Sequence, residues 1–164
     1  MKTLLLLRHA KSSWDDFTLD DHDRPLNARG RAGAKAIGDW LRAENIAPQR
    51  VLCSTAKRTV ETWEGLGLTS DIKFVPSFYH AHPEAMQKHL GRESAETVML
   101  IGHNPGMAAL ADQLIAEPPK HPRFFDFPTA SLAVVDFDAA GWDSIKARSG
   151  TARAFVTPAD LKTG

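Results

Sequence analysis

Thr3-Leu4-Leu5-Leu6-Leu7-Arg8-His9-Ala10 is the stretch whose reading decides the fold. Four consecutive leucines have neither the period nor the length of an amphipathic helix. They fit a strand buried on both faces, and such strands belong to parallel sheets covered by helices on each side. The run ends abruptly in Arg8-His9, so charge sits at the carboxyl end of the strand. Outward from this segment, short apolar runs read as strands at 50–53, 72–75, 97–101 and 131–137. A weaker one lies near 144–147, after the turn signal Asp138-Ala139-Ala140-Gly141. Helical patterns fall between them. Residues 27–43 start at Asn27, a good N-cap, and place Ala32, Ala36, Ile37, Trp40 and Leu41 on one face. Residues 56–66 follow Ser54 and Thr55, either of which suits a cap, and 83–90 and 105–115 both open with proline. Strands alternating with helices predict a three-layer α/β/α sandwich around a mostly parallel sheet of about six strands, with the last two strands forming an antiparallel edge.

The 164 residues suit one domain, spanning 1–164, with a core large enough to fold without disulfides or metal. Two irregular stretches, 12–26 and 117–129, interrupt the pattern. The second holds Pro118, Pro119, Pro122 and Pro128 and excludes helix or central strand there. Both carry aromatics (Trp14, Phe17, Phe124, Phe125, Phe127), which argues against linkers. Lys and Arg number 20 and Asp and Glu number 20, so the formal net charge is zero. That balance argues against a general polyanion binder. A single cysteine, Cys53, fits a reducing cytoplasm. No apolar run approaches the ~18 residues of a membrane span, and the run at 4–7 is too short for a signal-peptide core of about 7–15. A cytoplasmic protein is therefore expected.

In open α/β sheets, ligands bind outside the carboxyl ends of the strands. Three of those ends carry unusual chemistry: Arg8-His9-Ala10, Cys53-Ser54-Thr55-Ala56-Lys57-Arg58 and Gly102-His103-Asn104-Pro105-Gly106. If the strands are parallel neighbours, two arginines and two histidines converge on one pocket. The helices that start near Ala56 and Pro105 would add amide N–H groups and positive dipole ends. Such a site suits a phosphoryl group, because arginine presents a charged planar fork to phosphate oxygens.

These segments resemble the three signature blocks of the histidine phosphatase (phosphoglycerate mutase-like) superfamily. The blocks are Leu-Leu-Arg8-His9-Ala10, the run from Ser54 to Thr62, and Ile101-Gly102-His103-Asn104. The opening Arg8-His9-Ala10-Lys11-Ser12-Ser13-Trp14 and the segment Asp23-Arg24-Pro25-Leu26 with Gly30 look most like SixA-type phosphohistidine phosphatases. The resemblance implies that His9 is a nucleophile forming a phosphohistidine intermediate. It implies that Arg8, Arg58 and His103 hold the phosphoryl oxygens, without a cofactor or metal. Two guanidiniums beside His9 are expected to lower its pKa and keep it neutral for attack. The implied substrate is a phosphorylated group, with a phosphohistidine-bearing phosphorelay domain as the expected partner and no nucleic acid or membrane.

Three departures matter. Ala10 stands where relatives often have glycine, and Asp15 where many place a phosphate-contacting asparagine; a carboxylate there is expected to turn away. Larger relatives carry a glutamate after the third strand as general acid. Here the nearest carboxylate is Glu84, in a helix's first turn where the dipole alone favours it, with Tyr79 and His80 as alternatives. A protonated imidazole leaves more easily than an alkoxide, so a missing acid tilts the substrate toward N–P bonds. The runner-up is a small-molecule phosphomonoesterase of the same superfamily.

Three rivals are weaker. A cysteine phosphatase needs Cys-x5-Arg, and Cys53 and Arg58 have four residues between them at the end of an apolar strand. A metal site would rest on His80-x-His82 without a second cluster. A module that only binds phosphorylated partners needs no nucleophile, yet both histidines and both arginines are present. Trp40 and Trp63 read as helix core, Glu61 as a local anchor for Arg58 or Lys57, and Ser131 as a residue that could reach the site.

Overall fold

In the computed structural model, which describes residues 1–162, the leucine run becomes β1 (Lys2–Arg8) at the centre of a six-stranded sheet. Its neighbours are β4 (Thr97–Gly102), parallel, and β5 (Leu132–Phe137), antiparallel. Next to β4 lies β2 (Arg50–Ser54) and then β3 (Asp71–Val75), both parallel; β6 (Thr151–Val156) pairs antiparallel with β5. The order β3-β2-β4-β1-β5-β6 leaves Arg8 beside Gly102, and Cys53 beside Ile101.

Alternate residues of each strand feed opposite layers, as the pleat requires. Leu5, Leu7, Val51, Cys53, Met99 and Ile101 pack with α1 (Ala28–Ala43) and α2 (Lys57–Leu66) through Ala34, Ile37, Leu41 and Leu66. Leu4, Leu6, Leu52, Val98 and Leu100 pack with α3 (Pro83–Leu90) and α4 (Gly106–Leu114) through Met86, Leu90, Met107, Leu110 and Leu114. A strand fully covered on both faces has no solvent side, which is why β1 and β4 read as continuous apolar runs. The sheet, its antiparallel edge and its two helical layers are those expected. Asn27 caps α1 by accepting the Gly30 amide at 2.8 Å.

Two expectations change. The sixth strand is Thr151–Val156, not the run near 144–147. Trp142–Ser144 forms a 3-10 turn instead, because Trp142 is buried and its indole Nε1 donates to Ala95 O at 2.6 Å. The strand's own signal is weak because Thr151 and Arg153 interrupt it; long-range pairing with β5, including an irregularity between Val134 and Val135, selects it. For α2 the cap is Ala56, which offers no side-chain acceptor; the Ser54 hydroxyl accepts from the Ala56 amide at 3.3 Å and bonds His103. Among the described residues no helix is long and apolar enough to cross a membrane.

Candidate active site

β1, β2 and β4 end side by side, and the residues after them line one pocket of about 250 Å³. Its walls include Arg8, His9, Arg58 and His103, together with Arg24, Lys11, Trp14, His80 and Asn104. Arg58, His9 and His103 are only 5–7% exposed. The two histidine rings lie 5.2 Å apart between centroids.

Backbone geometry fixes His9. Its amide donates to Gly102 O at 3.0 Å, and the Ala10 amide donates to Thr62 Oγ1 at 2.9 Å. The Thr62 hydroxyl in turn donates to Arg58 O at 2.6 Å, so the loop that carries His9 is tied to α2. Gly30 completes the clamp: a Cβ there would lie 2.0 Å from Lys11 O, so only glycine lets α1 approach this closely. Ala10 is not among the non-glycine residues with positive φ, and its methyl is buried, so the departure from glycine is accommodated.

The His9 Nδ1 lies 2.7 Å from Ala10 O. A carbonyl only accepts, so the proton resides on Nδ1 and the lone pair on Nε2. Burial first, then Arg8, Arg58 and Arg24, push the His9 pKa down to about 3. The neutral state follows as expected, but burial outweighs the guanidiniums. His103 is likewise pushed down to about 3, by burial and then by His9 and Arg58. Its Nε2 lies 2.8 Å from Ser54 Oγ.

Arg8 donates through Nη1 to Phe127 O at 3.1 Å. The turn that supplies this carbonyl is unusual: Phe127 and Ala130 both take positive φ, and the Ala130 amide donates to Arg8 O and His9 O. Asn104 also donates to Phe127 O at 3.1 Å, and its Oδ1 accepts the Ala108 amide. The Met107 amide bonds His103 O, so α4 uses two of its first amides internally rather than presenting them to a ligand. Arg58 is held by the 3-10 turn Asp21–Asp23, donating to Asp21 O at 2.7 Å and to Asp21 Oδ2 at 3.0 Å. The Tyr79 hydroxyl donates to the same carboxylate; this bond and Arg58 hold Asp21 well below the usual carboxylate range. Three polar atoms of pocket-lining residues are buried without a partner among the described residues: Arg8 Nε, Arg58 Nε and His103 Nδ1. The residues that carry these atoms line one polar pocket rich in arginine and histidine, chemistry that suits an oxyanion.

Other sequence candidates fall elsewhere. Glu84 is exposed in the first turn of α3 and is not among the pocket-lining residues. Asp15 is exposed and likewise outside the lining. Cys53 is fully buried, and burial pushes its thiol up to about 12, so it stays protonated. Glu61 accepts the Leu26 amide at 2.8 Å rather than anchoring Arg58 or Lys57. Ser131 is buried opposite Arg8, with its amide and carbonyl in the sheet-end turn. His82 is exposed, and no three His, Cys, Asp or Glu side chains among the described residues group as metal ligands. Sequence reasoning missed Asp21 and Arg24. Arg24 stacks over Trp14 at 3.5 Å and bonds Ser12 Oγ, Ser13 O and Asp21. Its segment was singled out by resemblance, but nothing in a loop's spacing shows that it folds back over α2.

The fold and the pocket define an α/β domain with an arginine- and histidine-lined pocket at the carboxyl edge of its sheet. Residues 4–78 match the model of the histidine phosphatase superfamily (branch 1). A solved structure of a proposed phosphohistidine phosphatase SixA from Agrobacterium tumefaciens is similar, with TM-score 0.80 and 30% identity over 96% of this chain and 99% of that one. A solved structure of the protein histidine phosphatase SixA complexed with tungstate superposes with TM-score 0.73 at 25% identity, covering 98% and 99% of the two chains. The phosphohistidine phosphatase SixA of Escherichia coli (strain K12) is 27% identical across 97% of this chain and 96% of its own length. The chain belongs to the histidine phosphatase superfamily, is a phosphatase and is similar to the SixA type.

Proposed function

We propose that this phosphatase acts without a metal, through a phosphohistidine intermediate on His9 Nε2, and that its substrate is a phosphohistidine on a protein. The observation that carries the reading is the neutral His9 ring, with its free lone pair on Nε2, set among three buried donors that lack partners. A phosphoryl group between them would accept from Arg8, Arg58 and His103. Its charge stays on three equatorial oxygens during transfer, so fixed cations and prior alignment supply most of the rate enhancement. Ser54 can donate to His103 Nε2, which leaves the His103 proton on Nδ1, a nitrogen without a protein partner that would donate to the anion. The Nε2 of His9 attacks phosphorus, the leaving imidazole departs with its electron pair, and water then releases inorganic phosphate. The whole of 1–164 acts as one such domain.

Two features favour phosphohistidine over an alkyl phosphate. No carboxylate is among the pocket-lining residues, and an imidazole leaving group needs less protonation than an alkoxide. The exposed Trp14 and Phe125 stand on the two loops that carry Arg24 and the Phe127 carbonyl, apolar surface suited to a protein partner such as a phosphorelay domain. The test is a panel of phosphohistidine protein, aryl phosphate, sugar phosphate and nucleotide, with wild type and His9→Ala. Fastest turnover of the phosphohistidine protein, lost in His9→Ala together with labelling of the enzyme, supports the reading. Faster turnover of sugar phosphates would make it a small-molecule phosphomonoesterase, and binding without turnover of any substrate would make it a recognition module.

A further inference from the structure

We propose that His80 is a catalytic residue of this site: the group that takes a proton from the water that hydrolyses phosphorylated His9, and that gives one to an alkoxide when an alkyl phosphate is the substrate. This rests on the His9 intermediate proposed above. His80 lines the pocket, its ring 6.4 Å from that of His103 and 4.0 Å from that of Tyr79 between centroids.

Hydrolysis of a phosphorylated imidazole consumes water and must lose a proton at the attacking oxygen. Arginine holds its protons at any working pH, which removes Arg8, Arg24 and Arg58. His9 is the leaving group in this step, and its Nδ1 is committed to Ala10 O. His103 has Nε2 against Ser54, and its other nitrogen is buried without a partner, the donor assigned above to the phosphoryl group. Asp21, the carboxylate that holds Arg58, is saturated by Tyr79, Arg58 and Arg24, which leaves it a weak base with no proton to give. An exposed imidazole at the pocket wall has the right chemistry, because its ring nitrogens can both accept and give a proton.

Local structure supports a fixed role. His80 adopts φ 60°, the left-handed region that a β-carbon disfavours. The turn around it is pinned on both sides. Phe78 is buried and accepts the Ala81 amide at 3.3 Å, while a Cβ on Gly106 would meet Ala81 O at 2.2 Å. The strained residue is therefore set between two packed contacts.

With phosphohistidine as substrate, Nε2 of His9 forms the new P–N bond, and the substrate ring, protonated on its other nitrogen, leaves as neutral imidazole with the old bond's electron pair; the enzyme supplies no proton. With an alkyl phosphate, protonated His80 gives its proton to the departing oxygen. In the second step neutral His80 takes a proton from water, the resulting oxygen bonds to phosphorus, and the P–N bond to His9 breaks with its electrons returning to Nε2. Inorganic phosphate leaves, and His80 releases its proton to solvent.

His80→Asn tests this, since asparagine tolerates the left-handed backbone. With 4-nitrophenyl phosphate in rapid quench, formation of phosphorylated His9 should stay within about threefold of wild type, while its breakdown slows about 10²-fold, so the phosphoenzyme accumulates. Turnover of an alkyl phosphate should fall further than that of the aryl phosphate, and added imidazole should speed breakdown in His80→Ala. Unchanged breakdown of the phosphoenzyme in His80→Asn, or accumulation that imidazole does not relieve in His80→Ala, would overturn the role of His80 alone. Absence of any phosphoenzyme in wild type and variant alike would overturn the His9 reading on which it rests.

Discussion

Two arginine environments divide this molecule. At the antiparallel edge, Arg153 grips Asp136 with two bonds, Nε to Oδ2 at 2.9 Å and Nη2 to Oδ1 at 2.7 Å, and Thr3 donates to the same carboxylate. The pairing raises the Arg153 pKa. At the carboxyl edge, Arg8 has one carbonyl partner and no carboxylate; burial and the charge of Arg58 lower its pKa. One arginine is complete within the protein, and the other lacks a carboxylate partner. A half-buried cation without a counterion does little for a fold, which fits the anion-binding role proposed for Arg8 better than a stabilising one.

The comparison is broken most severely by substitution. Replacing Arg8 or Arg58 with alanine should lower phosphatase turnover by about 10²–10³, as loss of one charged oxyanion donor does elsewhere. Arg153→Ala should leave turnover within about twofold, because the residue is remote from the chemistry. Steady-state kinetics on one substrate decides it; similar losses at both edges would remove the distinction.

Acid should unfold the pocket before the edge. His9 and His103 are pushed down to about 3 in the folded state, so the unfolded chain binds more protons than the native one below the ordinary histidine value. Stability is therefore intact above about pH 6.5 and falls as the pH drops from there toward 3, by about 1.4 kcal/mol per unit for each histidine. Denaturant titrations across pH 4–7 should show this slope, roughly halved in His103→Gln.

An anion should make the two edges alike. Phosphate at 100 times its dissociation constant should stabilise the protein by about 2.7 kcal/mol, read as a rise in Tm. Arg8→Met should abolish that rise while leaving the anion-free protein at least as stable as wild type, because a charge without a counterion has gone. The smallest effect belongs to the completed pair: Asp136→Asn should cost at most about 1 kcal/mol, since Arg153 is half exposed. A larger loss would mean that the edge, too, depends on buried charge.

Much of this was legible beforehand because the signals are local. Leu4 to Leu7 and the 97–101 run could be read as two-faced strands, and Arg8, His9, Arg58 and His103 sit next to the strand ends that gather them. The misses share one cause. β6 is selected by pairing with β5, and Trp142 is withdrawn from a strand by a bond to Ala95, 47 positions away. Asp21 reaches Arg58 across 37 residues, and no periodicity links a loop aspartate to a helix arginine.

The sequence by itself determined the α/β class, the central strands and the four residues that the pocket brings together, because burial period and strand-end chemistry are written within a few residues of each other. Only the tertiary structure decided the orientation of those residues. It placed the His9 proton on Nδ1 through Ala10 O, fixed Arg58 with Asp21, left Glu84 outside the pocket lining and brought His80 into it. Each of these depends on a hydrogen bond or a packed turn, whose energy varies with distance and angle rather than with residue type.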